Sequence, residues 1–259
     1  FPHREVRIVV TTQRWQAAQT YERAYWQEVA DRLASGSPER LDWYRWSAED
    51  LVKRLGELGL PALTDGSARV IEVGSGPVGT IRFVPAAERV AVDPLEEFYR
   101  ANPVLTTVRD ADVEYRAGQG EALPAPDGHF DLALAENCLD HVQDMDAVLQ
   151  EIGRTLRPGG VLFVRINART PFGFVVHRVL SVLRIDRGHP HSLTRERLLA
   201  LLRLPLRMPA DGAARSAAAM AVPAGCPAQT IALELVGDPA GAERSGWIDS
   251  LTVAPASAS

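Results

Sequence analysis

Cysteine and lysine are scarce in this 259-residue chain, and the two shortages have different meanings. Its two cysteines, Cys138 and Cys226, cannot build a disulfide framework or a four-thiolate zinc site. We therefore expect a protein kept in a reducing, cytoplasmic compartment. Lys53 is the only lysine among 28 lysine and arginine residues, a bias that we attribute to genomic base composition.

Long apolar runs and excess basic charge are also missing. The longest apolar candidate, residues 172–183, is interrupted by polar side chains and is shorter than the roughly 18 residues that span a bilayer. Residues 1–5 do not resemble a signal peptide. The formal net charge of −5 argues against a nucleic-acid binder, which usually carries a basic face. We expect a small-molecule partner, no membrane or nucleic-acid partner, and a monomer or homodimer.

Two kinds of pattern divide the chain. Residues 1–62 show helical spacing and many aromatic side chains, which predicts a helical cap that either packs on a core or closes over a ligand site as a lid. From residue 63 to 259, short apolar runs alternate with helical stretches. This pattern predicts an α/β fold, a doubly wound Rossmann-like and mostly parallel sheet with helices on both faces. Ligands bind such sheets beyond the carboxyl ends of the strands.

A glycine-rich turn follows the first predicted strand. The pattern Gly74-x-Gly76-x-x-Gly79 allows a tight turn and close approach of a ligand to the backbone, and Asp93 ends the second predicted strand. Taken alone, this combination matches the dinucleotide fingerprint, in which the acid holds ribose hydroxyls. A lone fingerprint of this kind is weak evidence, so other features have to decide.

Three features oppose a nicotinamide enzyme. Pro77 removes an N–H from the loop that would cradle a diphosphate. Glu72 places a carboxylate before the loop, where it repels a diphosphate and attracts an amino group. A long helical segment also precedes the first strand. All three favour a ligand with a ribose and a cationic amino-acid end but no phosphate.

That description fits S-adenosylmethionine. An ordered set of motifs in this chain is similar to those of the class I S-adenosylmethionine-dependent methyltransferases, in particular the bacterial small-molecule branch. The set covers residues 68–167. Its members are Val70 to Gly79, Val90 to Pro94, Gly118 to Pro124, Phe130 to Asn137 with Cys138 to Val142 after it, and Leu156 to Gly160.

The resemblance implies a role for each cofactor-binding position. Gly74, Ser75 and Gly76 should cradle the methionine moiety, and Asp93 should bind both ribose hydroxyls. The remaining expected cofactor contacts are Glu72, which orients the loop or meets the amino group, Gln119 and Gly120 beside the adenine, and Glu136 and Asn137 near the sulfonium. Gln119 stands where relatives often carry Asp.

The acceptor side is less defined. His141 is the first candidate for a general base, although we favour the interpretation that it is a helix residue packing behind the cofactor. Other candidate acceptor contacts are Tyr21, Tyr25 and Trp26 from the cap, Arg165 and Asn167 after the fifth strand, and His189 and His191, which could also form a structural turn. We expect no metal, because Glu136, Asn137 and Asp140 poorly match a catechol-type metal site.

The C-terminal part carries few signals. Residues 194–204 predict a helix and 230–236 a final strand, and the resemblance implies an antiparallel strand pair at this end. Residues 207–228 are rich in alanine, proline and glycine and show no sixth strand, so they are a flexible insertion or a join across missing sequence. Besides a methyltransferase, an NAD(P)-dependent oxidoreductase and a non-catalytic cofactor-binding scaffold remain as alternatives.

Overall fold

The computed structural model describes residues 9–36, 41–167, 188, 190, 191 and 230–236, with the backbone alone for Asn167 and the last range. The helices in this part of the chain are α1 (Thr12–Ala34), α2 (Asp42–Glu57), α3 (Glu96–Ala101), α4 (Pro103–Thr107) and α5 (Met145–Thr155). The strands are β1 (Arg69–Val73), β2 (Glu88–Asp93), β3 (Glu114–Ala117), β4 (Phe130–Glu136), β5 (Leu156–Asn167) and β6 (Thr230–Val236).

The strands form one sheet in the order β3-β2-β1-β4-β5-β6, and every neighbouring pair is parallel. The chain winds outward to β3 and then returns to the other side of β1, so the order reverses between β1 and β4. The expected doubly wound sheet is therefore confirmed. Its switch point lies where β1 and β4 end, at Val73 and Glu136.

Both faces of the sheet are covered, which explains why the strands read as continuous apolar runs. Because successive side chains of a strand point to opposite faces, Val70 and Ile71 belong to different cores. One core packs α5 on the sheet through Val148 and Ile152. The other packs α2 through Leu51 and similar residues, so part of the segment 1–62 shares a core with the strands.

Side-chain caps are found at the starts of α1 and α5, among others. The Thr11 hydroxyl accepts the N–H of Arg14 at the start of α1. The Asp144 carboxylate accepts the N–H groups of Asp146 and Ala147 at the start of α5. The carbonyl of Gln143, next to Asp144, accepts the N–H of Val10, which anchors the chain before α1 beside the start of α5.

A buried ionic network joins α2 to the sheet. Arg165 of β5 is fully buried and donates to Glu136 of β4 at 2.7 Å and to Asp50 of α2 at 2.8 Å. The Ser47 hydroxyl, also on α2, donates to the Glu136 carboxylate. The guanidinium thus offsets two carboxylates in a region from which water is excluded, and it fixes α2 against the end of the sheet that carries the switch point.

The motif Leu156 to Gly160 forms the first part of β5. These residues are included in the strand through a bulge in the pairing. Leu156 pairs with Phe130 but Val161 pairs with Leu132, and Gly159 within the bulge has a φ of 80°. The bulge absorbs the additional residues without breaking the ladder.

The C-terminal expectations are met in part. Residues 230–236 form a strand, but it pairs with β5 in parallel, so the described residues do not include the antiparallel pair that the resemblance implied. The helix expected at 194–204 and the segment 207–228 lie outside the described residues. Among the helices of the described ranges, none is long and apolar enough to cross a membrane.

We predict that replacing Arg165 by methionine lowers the free energy of unfolding by about 3–5 kcal/mol, because Glu136 would remain buried without its cation. Chemical denaturation measures this loss. The matched control is Lys53→Met, which removes an exposed pair with Glu57 at 3.8 Å and should cost about 1 kcal/mol or less. Equal losses in the two variants would contradict the stabilising role that we assign to Arg165.

Candidate active site

A cavity of about 400 Å³ lies at the switch point of the sheet, between the strand ends and the two N-terminal helices. Its floor comes from the turns after β1, β2, β3 and β4, and its roof comes from α1 and α2. The sequence motifs and the aromatic cap therefore meet at one place. The residues that line the cavity include Trp15, Gln19, Tyr21, Glu22, Tyr25, Trp26, Tyr44, Glu72, Gly74, Ser75, Gly76, Asp93, Gln119, Gly120, Glu121, Glu136, Asn137, Cys138, His141 and Gly188.

The glycine loop after β1 has its amide groups occupied within the protein. Gly74 and Ser75 donate to the carbonyl of Val92 at 2.8 and 3.4 Å, and Gly76 donates to Asp93 at 2.9 Å. Pro77 has no N–H to give. The loop therefore presents no amide from residues 74–77 to a phosphate group, although it still allows a ligand to lie close to its backbone.

Gly74 is required by space as well as by conformation. Its φ is +72°, and a Cβ on it would lie 2.3 Å from the Cβ of Cys138. The turn after β1 and the turn after β4 thus touch at this glycine. Their contact closes the floor of the cavity at the switch point.

Asp93 is buried at the end of β2 and links two turns. One carboxylate oxygen accepts the Gly76 N–H at 2.9 Å, and the other accepts the Leu95 N–H at 2.8 Å. Burial raises the pKa of Asp93 to about 6, and Glu22 and Glu96 contribute to the rise while the two amide bonds oppose it. Each oxygen keeps a further lone pair, so the carboxylate can still accept a pair of neighbouring hydroxyls.

Glu72 is buried below the loop. Its two oxygens accept the N–H groups of Thr80 and Ile81 at 3.1 and 2.8 Å. Burial, with a smaller effect of Glu136, raises the pKa of Glu72 to about 8. These two hydrogen bonds match the first role expected for Glu72, which is to orient the loop.

The turn after β3 forms another side of the cavity. Gln119 is exposed at its rim and Gly120 is buried beneath it. Glu121 follows, and one of its oxygens accepts the N–H groups of Gln143 and Asp144 at 2.7 and 3.0 Å. These bonds fix the turn after β3 against the start of α5.

The turn after β4 brings three consecutive residues to the cavity. Glu136 lines it while bonded to Arg165. Asn137 has a φ of 48°, uncommon for a residue other than glycine, and its N–H donates to the Arg165 carbonyl at 2.7 Å. Burial raises the pKa of Cys138, so its thiol stays protonated and serves as a packing group rather than a nucleophile.

His141 faces the cavity between two carboxylates. Its Nδ1 lies 3.6 Å from an oxygen of Glu22 on α1, and its Nε2 lies 3.8 Å from Asp140. The ring is about one quarter exposed, so a ligand in the cavity can reach it. The position suits proton transfer to or from a bound group.

The cap contributes an aromatic roof. Tyr21 and Tyr25 are about half exposed, while Trp26 is buried and packs edge-on against Tyr25. Tyr44 of α2 reaches over the glycine loop, with its hydroxyl 3.0 Å from where a Cβ on Gly76 would be. Burial and the nearby Glu72, Asp93 and Glu22 carboxylates raise the pKa of Tyr44, so it remains a neutral phenol.

The structure brings most of the expected site residues together, with exceptions on the acceptor side. Every expected cofactor-binding residue lines the cavity, as do Tyr21, Tyr25, Trp26 and His141. Arg165 does not, because its guanidinium is buried in the ion pairs that hold α2. This corrects its assignment as an acceptor contact.

His191 also does not line the cavity. His191 is buried, and its Nε2 lies 2.7 Å from the Val142 carbonyl. Burial lowers the pKa of His191, as expected for a neutral structural histidine. Among the described residues 188, 190 and 191, Gly188 lines the cavity, beside Tyr21. His189 and the side chain of Asn167 lie outside the described residues.

Several lining residues were not expected as site residues from the sequence. The most informative are on α1, where Trp15, Gln19 and Glu22 follow one another at spacings of four and three. A signal was available, because Glu22 is a charged residue on a helical face that is otherwise apolar and aromatic. Within the described residues, no cluster of three His, Cys, Asp or Glu side chains is arranged to hold a metal ion.

Comparison with known proteins identifies the central part of the chain. Residues 71–164 match the family described as "Methyltransferase domain". An uncharacterized methyltransferase of Schizosaccharomyces pombe is 34% identical over 103 residues, which are 36% of this chain and 37% of that protein. A ubiquinone biosynthesis O-methyltransferase of Mesorhizobium japonicum is 28% identical over 138 residues, which are 52% and 53% of the two chains.

Among solved structures, the crystal structure of the cyclase SpnF shares the fold, with a TM-score of 0.51 and 20% identity over 77% of this chain and 74% of that one. Residues 71–164 therefore resemble a methyltransferase domain. The chain spans about half or less of the length of these curated relatives.

We predict that Gly74→Ala lowers the free energy of unfolding by about 2 kcal/mol more than Gly59→Ala, because only the first adds a steric clash. Both glycines have a positive φ near 70°, so both variants carry similar backbone strain, but nothing lies within 4 Å of a Cβ on Gly59. Denaturant titration of the two variants measures the difference. A difference near zero would mean that the turns after β1 and β4 can separate freely.

The raised pKa of Glu72 predicts a pH-dependent stability of the ligand-free protein. Between the ordinary pKa of 4.5 and the folded value of about 8, the unfolded chain releases the Glu72 proton first, so rising pH favours unfolding. We expect the wild type to lose about 2 kcal/mol or more relative to Glu72→Gln between pH 5 and pH 8. The exposed Glu97→Gln variant is the control and should follow the wild type. Parallel curves for the wild type and Glu72→Gln would refute the assignment.

Proposed function

We propose that this protein transfers a methyl group from S-adenosylmethionine to a small-molecule acceptor in the cytoplasm, to an oxygen or nitrogen atom in preference to carbon. The proposal includes no nucleic-acid or membrane partner. The observation that carries it is the glycine loop, whose amide groups at residues 74–76 are all used within the protein. Such a loop suits a ligand that brings a ribose and a cationic end but no diphosphate.

The composition of the cavity wall supports the same ligand. Among the described lining residues, Glu22, Glu72, Asp93, Glu121 and Glu136 are acidic, and none is Arg or Lys. A wall of this kind attracts a sulfonium and an ammonium group and repels phosphates. In this proposal Gly74, Ser75 and Gly76 cradle the methionine moiety below Tyr44, with Glu72 holding their loop from beneath.

The remaining assignments follow the order of the strand ends. Asp93 accepts both ribose hydroxyls with the lone pairs that Gly76 and Leu95 leave. Gln119 and Gly120 border the adenine. Glu136 and Asn137 lie where the methyl group meets the acceptor, because they follow the strand next to β1 at the switch point.

The bound S-adenosylmethionine supplies an electrophilic methyl carbon. A lone pair of the acceptor forms the new bond to this carbon as the carbon–sulfur bond breaks, and that electron pair stays on sulfur. The protein aligns the two reactants and excludes water. If the acceptor arrives protonated, His141 takes the proton, since its ring faces the cavity and its nitrogens lie near two carboxylates.

Two observations bear on the alternatives. An NAD(P)-dependent oxidoreductase is disfavoured by the occupied loop amides. A binding scaffold without methyl transfer is the second candidate. SpnF, which shares the fold, is named a cyclase rather than a methyltransferase. The O-methyltransferase name of the Mesorhizobium relative favours methyl transfer to oxygen.

Titration calorimetry with S-adenosylhomocysteine and, separately, with NADH tests the ligand class. The proposal expects binding of S-adenosylhomocysteine and none of NADH, and the reverse result would overturn it. Incubation with methyl-deuterated S-adenosylmethionine and a panel of phenols and amines, followed by mass spectrometry, then separates an enzyme from a scaffold. A scaffold would bind the cofactor and label nothing.

We predict that Asp93→Ala weakens the binding of S-adenosylhomocysteine more than tenfold, because a charge-assisted pair of hydrogen bonds to the ribose is lost. Asp112→Ala is the control, since its carboxylate is exposed. Thermal unfolding of both variants shows whether the loop has been lost along with the affinity. An unchanged affinity in folded Asp93→Ala would show that the ribose does not bind there.

A further inference from the structure

Glu22 differs from the other acidic residues of the cavity wall. Each of the other four carboxylates accepts hydrogen bonds from at least two donors of the protein. Their donors are Thr80 and Ile81 for Glu72, Gly76 and Leu95 for Asp93, Gln143 and Asp144 for Glu121, and Ser47 and Arg165 for Glu136. Within the described residues, Glu22 accepts one hydrogen bond, from the indole N–H of Trp26 at 3.2 Å.

The second oxygen of Glu22 is directed toward the cavity. It lies 3.6 Å from Nδ1 of His141, beyond hydrogen-bond distance. The charge of Glu22 also raises the pKa of Asp93 and of Tyr44, so it acts across the cavity on groups of β2 and α2. A cation placed between these groups would relieve their mutual repulsion.

The neighbours of Glu22 on α1 suit the same kind of ligand. The Oε1 atom of Gln19, three residues earlier, is buried and has no hydrogen-bond partner among the described residues. Gln19 and Glu22 therefore both offer acceptor oxygens, which match a group that carries several N–H donors. Tyr21 and Tyr25 are half exposed beside them, and aromatic faces of this kind attract ammonium groups.

We propose that the α1 face of the cavity, formed by Gln19, Glu22, Tyr25 and Trp26, recognises a protonated amine on the methyl acceptor, and that Glu22 determines this specificity. The acceptor class is thus an aromatic or apolar body that carries a cationic amine, rather than a carboxylate or phosphate. This inference rests on the proposed function, because it assigns the second substrate of the same cavity.

The test uses three probes of similar shape and different charge in the presence of saturating S-adenosylhomocysteine. Tyramine carries the cation, para-ethylphenol is neutral, and para-hydroxyphenylpropionate carries an anion. Titration calorimetry should give a dissociation constant for tyramine at least tenfold lower than for the other two. No preference for tyramine, including no binding of any probe, overturns the inference.

Two variants locate the preference. Glu22→Gln keeps an oxygen for the Trp26 indole N–H but removes the charge, and it should abolish most of the preference for tyramine. Glu28→Gln on the same helix removes an exposed charge that pairs with Arg32, and it should leave the preference unchanged. If Glu22→Gln instead weakens S-adenosylhomocysteine and leaves the probe order intact, Glu22 holds the cofactor and the inference is wrong.

Titration of the wild type with S-adenosylhomocysteine distinguishes a failure of the proposed function from a failure of the role assigned to Glu22. If S-adenosylhomocysteine does not bind the wild type, the proposed function fails. If it binds and the three probes bind equally, the proposed function stands and only the assignment of Glu22 fails.

Discussion

Two buried carboxylates hold the glycine loop, and the rest of the site depends on them. Glu72 and Asp93 together accept four backbone N–H groups from the turns that follow β1 and β2. Those amides offset the cost of burying two like charges, but only partly, because the pKa values of both residues remain raised. The consequence is a loop with no amides left at residues 74–76 and an acidic environment around it. Both properties select against phosphates and in favour of a cationic ligand.

The cap is part of the same electrostatic arrangement. Arg165 donates to both Glu136 of β4 and Asp50 of α2, so the roof over the cavity is fixed through a buried cation. Trp26 extends the arrangement to α1 through its hydrogen bond to Glu22. The carboxylates of the strand ends thus each accept at least two hydrogen bonds from the protein, while the carboxylate of α1 can accept more from an incoming group. This division separates a cofactor side from an acceptor side within one cavity.

The sequence predicted the fold and the floor of the cavity, because both depend on local patterns. Continuous apolar runs indicated buried parallel strands, and motif positions such as Gly74 and Asp93 lie at strand ends that the topology brings together. The roof depends on contacts between distant residues, which a pattern does not contain. Arg165 was assigned to the acceptor because it ends a strand, whereas its side chain turns to Asp50, 115 positions earlier in the chain. The sequence shows that Glu22 is a charged residue on a largely apolar helical face. It does not show that His141, from a distant part of the chain, lies 3.6 Å away.

A crystal structure with bound S-adenosylhomocysteine tests most directly whether the cavity at the switch point binds the cofactor. We expect the ligand in this cavity, with both ribose hydroxyls on Asp93 and the homocysteine over Gly74 to Gly76. Its sulfur should be directed toward Asn137 and the α1 face. A ligand bound elsewhere, or a ribose away from Asp93, would contradict this prediction.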